Sequence, residues 1–179
     1  MSDAPPLSRR VRIDALQADG LTQTIEASPE ECAALAAINR LPAIASVTAN
    51  FTVRRSGRGG ARVTGDVHAE VTQVCVVSLE PFAATVDEPV DVRFAPAEAA
   101  ETVRRAREDD AETVEVGGED PPDPIVDGRI DLGALAVEFL ALALDPHPRK
   151  PGAEFTPPPE ETPPESPFVV LAKIAMKKR

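Results

Sequence analysis

Cysteine and histidine most often carry nucleophilic or metal chemistry, and this sequence contains two of each. Cys32, His68, Cys75 and His147 lie far apart along the chain, and no two of them have the spacing of a metal-ligand pair. No histidine lies near Cys75 in the sequence to act as its base. Cys75 also continues the alternation of apolar residues before it, which would place it on the same side of a strand. We therefore predict two buried, unreactive thiols, no metal, no cofactor and no catalytic site.

Arginine offers a different chemistry, the binding of phosphate groups. Four arginines converge on one glycine-rich turn, RSGRGG: Arg54, Arg55, Arg58 and Arg62. Arginines often donate to phosphate oxygens, and glycines let the backbone approach a partner, so this turn is a candidate RNA-binding or partner-binding site. The alternative is a solvated turn without a partner. No aromatic residues interleave with these arginines, so stacking on bases is not indicated.

A second basic segment, DPHPRKPGAEF at residues 145–155, supplies His147, Arg149 and Lys150 as further binding candidates. Its prolines hold the backbone extended, which lowers the entropy cost of presenting these side chains. The alternative is that the positive charges only stabilise the carboxyl end of a preceding helix. Four later cations could extend the surface: Lys173, Lys177, Lys178 and Arg179.

The overall charge limits the classes of partner. The 179 residues carry a formal net charge of −11. Non-specific binding to nucleic acid depends on neutralising phosphates with lysine and arginine, so the charge argues against general nucleic-acid affinity, and we expect no DNA binding. Any RNA contact must be local, or the main partner must be a basic protein. With no apolar signal segment and no run of membrane-spanning length, we expect a soluble cytoplasmic protein.

Alternation of apolar and polar residues predicts the strands that position both basic segments. Strands are predicted at residues 10–15, 21–27, 47–54, 63–77 and 82–94. The third and fourth are joined by a hairpin around Arg58, and the fourth carries Cys75 and Val77 toward the core. Glu88 and Pro89 interrupt the last strand, which predicts an edge or a bulge there.

Capping patterns predict two main helices. Ser28 and Glu31 form a capping box before the first, and Asp131 caps the second. The second helix begins its apolar face at Leu132, has Glu138 as its only interior charge, and must bury most of its surface. Strands and helices are segregated along the chain, so we predict an α+β fold with an antiparallel sheet that could close into a barrel.

The predicted domain organisation is one α+β domain over residues 9–155, followed by a tail. Within the domain, residues 96–127 form an acidic, mobile insertion whose first part could make a short solvated helix. Residues 156–167 are a proline-rich linker, and residues 168–179 are a short amphipathic basic segment.

Three stretches resemble the YceD family, the large ribosomal RNA subunit accumulation proteins, in its alphaproteobacterial form: VTGDVHAEVTQVCVVSLEPF, DGRIDLGALAVEFLALALDPHPRKPGAEF and PFVVLAKIAMKKR. The residues that carry the resemblance are Cys75, Glu80, Pro81, Asp131, Leu132 and Glu138. Many members have a second cysteine three positions after the first, where this chain has Ser78. Any metal or thiol role of those members therefore does not transfer to this chain.

The resemblance implies a non-enzymatic protein that supports synthesis, processing or stability of large-subunit (23S) ribosomal RNA. The protein would bind ribosomal RNA or an assembling large-subunit protein through the basic residues named above. The alternative is an acidic adaptor or chaperone that holds a basic large-subunit ribosomal protein with residues 98–127 and does not touch RNA.

Overall fold

The computed structural model describes residues 5–109 and 120–155. In chain order the elements are β1 (Arg10–Arg12), β2 (Leu21–Glu26), α1 (Pro29–Ile38), β3 (Ala43–Ser56), β4 (Gly60–Val74), β5 (Pro81–Pro96), α2 (Ala97–Asp109), β6 (Asp123–Ile125), β7 (Arg129–Asp131) and α3 (Leu132–Ala143). The centre of the predicted acidic insertion (110–119), the predicted linker (156–167) and the basic segment (168–179) lie outside the described residues.

Five strands form one open sheet in the order β2-β3-β4-β5-β6. The pairings are antiparallel except for the short one between β5 and β6, which is parallel. The predicted α+β class is confirmed. The prediction that the sheet could close into a barrel is wrong, because β2 and β6 stand at opposite edges and do not pair. Strands β1 and β7 form a separate antiparallel ribbon.

The inner face of the sheet packs against α1 and α3 around one apolar core. As the alternation predicts, Val47, Ala49, Phe51 and Val53 of β3 are all buried. The helices contribute Cys32, Leu35, Ala36, Leu132, Leu135, Ala136 and Leu140. The alternate residues of β4 lie on the opposite side, called the outer face below, and are polar: Thr64, Asp66, His68, Glu70 and Thr72. One buried and one solvated face are typical of an antiparallel sheet.

One strand prediction needs correction. Strand β4 ends at Val74, so Cys75 and Val77 lie in the following turn and not on a strand. At Glu88 and Pro89, where an edge or a bulge was predicted, β5 has an open edge and no bulge, since β4 and β5 keep one register throughout their pairing. Before Phe94, the side of β5 that faces away from β4 has no partner strand among the described residues. A proline, which lacks a backbone N–H, can therefore stand there without the loss of a hydrogen bond between strands.

The two predicted helix caps are present, but burial of α3 is less complete than predicted. Ser28 forms the capping box with Glu31, and the Asp131 carboxylate accepts from backbone N–H groups at the start of α3. Leu142 of α3 is 72% exposed, because the sheet covers only one side of the helix. A third helix, α2, lies where a short solvated helix was predicted. No helix in the described ranges is long and apolar enough to cross a membrane.

Candidate functional site

The β3–β4 hairpin presents the predicted arginine cluster at one end of the sheet. Its turn passes through Gly57 and Gly59, which have φ values of 60° and 75°. Such left-handed conformations favour glycine, which explains the glycine-rich turn. In the paired strands Arg54 lies opposite Arg62, and Arg55 lies opposite Ala61.

The four hairpin arginines are not equivalent. Arg62 donates two hydrogen bonds to Asp91, at 2.7 and 2.6 Å, and this guanidinium lowers the pKa of Asp91. Arg55 donates to the backbone carbonyls of Asp14 and Leu16, so it braces the segment after β1 while keeping its charge. Arg54 and Arg58 are exposed and form no hydrogen bond or ion pair with any described residue. These two are therefore the freest to bind a partner.

The β1–β7 ribbon adds arginines that the sequence reasoning missed. Its register places Arg12 opposite Arg129, and both line a cleft with Arg55 and Gly59 of the hairpin. We call this the basic cleft; two carboxylates, Asp14 and Asp127, also line it. The alternating pattern in RVRID places arginines on the polar side of β1. Nothing local indicates that β1 pairs with a strand more than 110 residues later.

At the other end of β4 the chain folds into a compact turn, residues 75–80, called the Cys75 knuckle below. The Cys75 Sγ accepts hydrogen bonds from the backbone N–H groups of Val77 and Ser78, both at 3.4 Å. The Cys75 carbonyl accepts from the Leu79 N–H, and the Cys75 N–H donates to the Glu80 carbonyl, both at 2.9 Å. Cys75 is fully buried, as predicted, but polar contacts hold it and it is not part of the apolar core.

These contacts separate the two cysteines chemically. Hydrogen bonds from the Ser78 hydroxyl and backbone N–H lower the pKa of the Cys75 thiol to about 6. Burial raises the pKa of Cys32 in α1. The knuckle therefore favours the thiolate form of Cys75, whereas burial favours the neutral thiol of Cys32, which packs in the core as predicted.

We expect an ultraviolet titration at 240 nm, where thiolate absorbs, to show one step below pH 8, with a midpoint near pH 6. The chain contains no tyrosine or tryptophan, so the signal is free of phenolate ionisation. The Cys75→Ala variant should lose the step and Cys32→Ala should keep it. Ser78→Ala should raise the midpoint, because it removes the hydroxyl donor. No step below pH 8 in the native protein would contradict the assignment.

The same pKa shift has a consequence for stability. The folded-state pKa of Cys75 lies below that of an unfolded cysteine, which is about 8.5. The thiolate contribution to stability is therefore complete above the unfolded value and is lost as the pH falls through about 6.

The second basic segment packs against the knuckle. The Pro148 carbonyl accepts from the Val76 N–H at 2.9 Å, and Lys150 Nζ lies 2.7 Å from a Glu80 carboxylate oxygen. This ion pair lowers the pKa of Glu80 and raises that of Lys150. Arg149 and His147 are exposed, and the His147 N–H donates to Asp145. The segment is thus an anchored part of the fold.

The two basic segments lie at opposite ends of β4. The strand has 15 residues and spans roughly 45 Å at about 3.3 Å per residue. The hairpin arginines and the pair Arg149 and Lys150 therefore form two separate surfaces. Between them the outer face is acidic, with Asp66, Glu70 and Asp87, and His68 bonds Asp87 at 2.6 Å with a raised pKa.

The residues that carry the resemblance divide between the knuckle and α3. Pro81 begins β5 directly after Glu80, and Leu132 is fully buried behind the Asp131 cap. Glu138 is exposed on α3. In the part of the chain that the structure describes, no three His, Cys, Asp or Glu residues are grouped in a way that could hold a metal ion.

Comparison with known proteins identifies one family. Residues 63–169, more than half of the chain, match the family described as "Large ribosomal RNA subunit accumulation protein YceD". The match includes β4 from Val63 onward, the knuckle and α3. No curated protein and no solved structure matches the chain significantly.

Proposed function

Since the chain belongs to the YceD family of large ribosomal RNA subunit accumulation proteins, we propose that it serves ribosome biogenesis without catalysis, by binding 23S ribosomal RNA directly. The proposed contact is the basic cleft with Arg54 and Arg58. The family description supports the target. The observation that supports this contact is that the arginine-bearing β3–β4 hairpin and the arginine-bearing β1–β7 ribbon line one cleft. We expect the protein to act in the cytoplasm, where ribosomes assemble.

The charge distribution supports binding at this end of the molecule. The chain as a whole is acidic, and the carboxylates of the outer face would repel a phosphate backbone. Phosphates would therefore approach where exposed guanidinium groups are concentrated. Ion pairs occur at both ends, since Lys150 pairs with Glu80 at the knuckle and Arg12 pairs with Asp14 in the basic cleft. The hairpin end is favoured because Arg54, Arg55 and Arg58 have no carboxylate partner among the described residues.

The geometry of the hairpin end also favours phosphate over protein side chains as the ligand. Arg55 is held by backbone carbonyls, which order its guanidinium without cancelling its charge. Gly57 and Gly59 carry no side chains that would keep a nucleic-acid backbone at a distance. Arginine in such an exposed, ordered position forms charge-assisted hydrogen bonds to phosphate oxygens.

Charge reversal at the two free arginines tests the proposal. We expect Arg54→Glu/Arg58→Glu to weaken binding to 23S ribosomal RNA about 10- to 100-fold at low salt. The slope of log affinity against log salt should fall by about 1.4 to 1.8, the value for two lost phosphate contacts. Filter binding or fluorescence anisotropy over a salt series measures both quantities. Arg55 is left intact because its reversal would also release the segment after β1.

The matched control is Arg104→Glu/Arg105→Glu, which changes the net charge equally on the exposed surface of α2, where both arginines contact Glu101. The control should keep the native salt slope. Equal weakening by both double variants would show that only net charge matters. Unchanged binding by the hairpin variant would remove the hairpin from the RNA contact.

A second candidate function is an acidic adaptor for a basic large-subunit ribosomal protein, and the acidic outer face favours it. Replacing residues 110–119 with an uncharged Gly/Ser segment of equal length tests whether an adaptor would hold its partner with the acidic insertion. An adaptor that holds its partner with the acidic insertion loses that partner. A direct RNA binder keeps its RNA affinity or gains some through reduced repulsion.

A further inference from the structure

Three apolar side chains at the Cys75 knuckle are exposed to solvent. The exposed fractions are 42% for Val74, 44% for Val76 and 75% for Leu79. Leu79 has a φ of 59°, in the left-handed region that disfavours bulky side chains. A turn that is bonded through Cys75 thus holds a strained leucine in water. Strain together with an exposed apolar cluster indicates a surface that is completed by a partner.

The chain itself passes this surface. The basic segment bonds to the knuckle through Pro148 and Lys150, and the Ala153 N–H then donates to the Lys150 carbonyl in a turn. The described residues end at Phe155, five residues after Lys150, which is at most about 17 Å away at about 3.3 Å per residue. The chain after Phe155 therefore starts within about 17 Å of Lys150, which bonds to the knuckle.

The sequence after Phe155 has the length and composition to return to this surface. Residues 156–167 are twelve proline-rich residues that reach about 37 Å when extended at about 3.1 Å each. They are followed by FVVLAKIAMKKR, which combines apolar residues with cations. A tether of this length gives an attached segment an effective concentration on the order of millimolar, so even a weak apolar contact is occupied.

Charge complementarity indicates how this segment would be oriented, with its cations toward the carboxylates of the outer face. Glu70 and Val74 lie four residues apart on β4, and their side chains therefore point to the same outer face. Asp87 of β5 lies on that face, opposite His68. A segment with its apolar part at the knuckle can place its lysines along these carboxylates.

We propose that residues 168–176 of the same chain dock on Val74, Val76 and Leu79, with the cations of residues 173–179 toward the acidic outer face. This contact is independent of the RNA-binding proposal. It covers the Cys75 knuckle and slows the opening that would expose the thiol.

The rate at which iodoacetamide alkylates Cys75 in the full chain tests this proposal, with the Cys75 peptide quantified by mass spectrometry. Leu79→Asp and Phe168→Asp/Leu171→Asp should each raise the rate about fivefold, because each removes one side of the contact. The combined variant should react no faster than either one, as expected for two sides of a single contact. The control Leu142→Asp alters a leucine of similar exposure, 72%, on α3 and should leave the rate unchanged.

Three results would overturn the proposal. An unchanged rate in Phe168→Asp/Leu171→Asp would show that the segment does not cover the knuckle. Multiplied effects in the combined variant would show that Leu79→Asp only loosens the turn. Protection that disappears on dilution of the native protein would assign the contact to a second copy of the chain.

Discussion

Replacing Asp131 with alanine should lower the free energy of unfolding by about 3 kcal/mol. The carboxylate accepts from the Ser8 hydroxyl at 2.5 Å and from the Arg9 N–H at 2.8 Å. It also accepts from the N–H groups of Gly133 and Ala134, at 3.1 and 3.2 Å. One side chain thus caps α3 and fastens the segment before β1 to it. Alanine would leave several half-buried donors without an acceptor, a costly loss.

The matched variant is Asp131→Asn, which keeps one acceptor oxygen for the cap but loses the charge and the second acceptor. We expect it to lose about half as much stability as the alanine variant, with urea unfolding as the measurement. A loss of less than about 0.5 kcal/mol in Asp131→Ala would contradict the assigned role, since that is typical of ordinary surface substitutions.

The Asp131 contribution should also depend on pH. Burial alone would raise the pKa of Asp131, but hydrogen bonds from Ser8, Arg9 and Ala134 outweigh burial and lower it. Since the folded-state pKa is below the unfolded value of about 3.9, the stabilisation is complete above that value. It is lost as the pH falls through the folded-state pKa. The Asp131→Asn variant should therefore lose less stability than the native protein on acidification through this range.

Replacing Gly65 with alanine should destabilise the fold by about 3 kcal/mol or more. Gly65 of β4 lies opposite Phe51 of β3, at the centre of the hairpin that carries the arginines. A Cβ atom there would lie 1.8 Å from the backbone carbonyl oxygen of Asn50 and 3.0 Å from the Phe51 Cα. Both are backbone atoms of a paired strand, so no side-chain rotation relieves the clash. The two strands would have to separate.

The control is Gly57→Ala in the hairpin turn, where a Cβ atom meets nothing within 4 Å and only the φ of 60° opposes it. It should cost about 1 kcal/mol from backbone strain. Thermal unfolding measures the difference, since 1 kcal/mol shifts Tm by about 2–4 °C in a chain of this size. Equal effects of the two variants would show that the close approach at Gly65 is not a constraint.

Sequence patterns predicted those features that depend only on residues close together in the chain. The alternation from Val47 to Val53 predicted the buried face of β3, because any other register would place these residues in water. Asp131 could be predicted as a cap, since capping involves residues only two or three positions away. The arginine-bearing hairpin followed from the glycines at its turn.

The rest depended on contacts between distant residues. Arg12 and Arg129 lie opposite each other only because β1 pairs with β7. Each strand is too short for its sequence pattern to indicate which strand it pairs with. The pairing of Arg62 with Asp91 depends on the β4–β5 register. The sequence alone therefore could not show which of the four hairpin arginines has a carboxylate partner. Strand β4 ends at Val74 because the Cys75 sulfur accepts hydrogen bonds from the following turn. The alternation of apolar residues along the strand gives no sign of these hydrogen bonds.

We propose that the hairpin end of the sheet, and not the knuckle end, contacts ribosomal RNA. Ultraviolet cross-linking in growing cells tests it most directly, with the RNA sequenced and the cross-linked peptides mapped by mass spectrometry from the same sample. We expect 23S ribosomal RNA attached to peptides containing Arg54 and Arg58 or residues of the basic cleft. Recovery of RNA only on residues 145–155, or of basic ribosomal proteins without RNA, would contradict it.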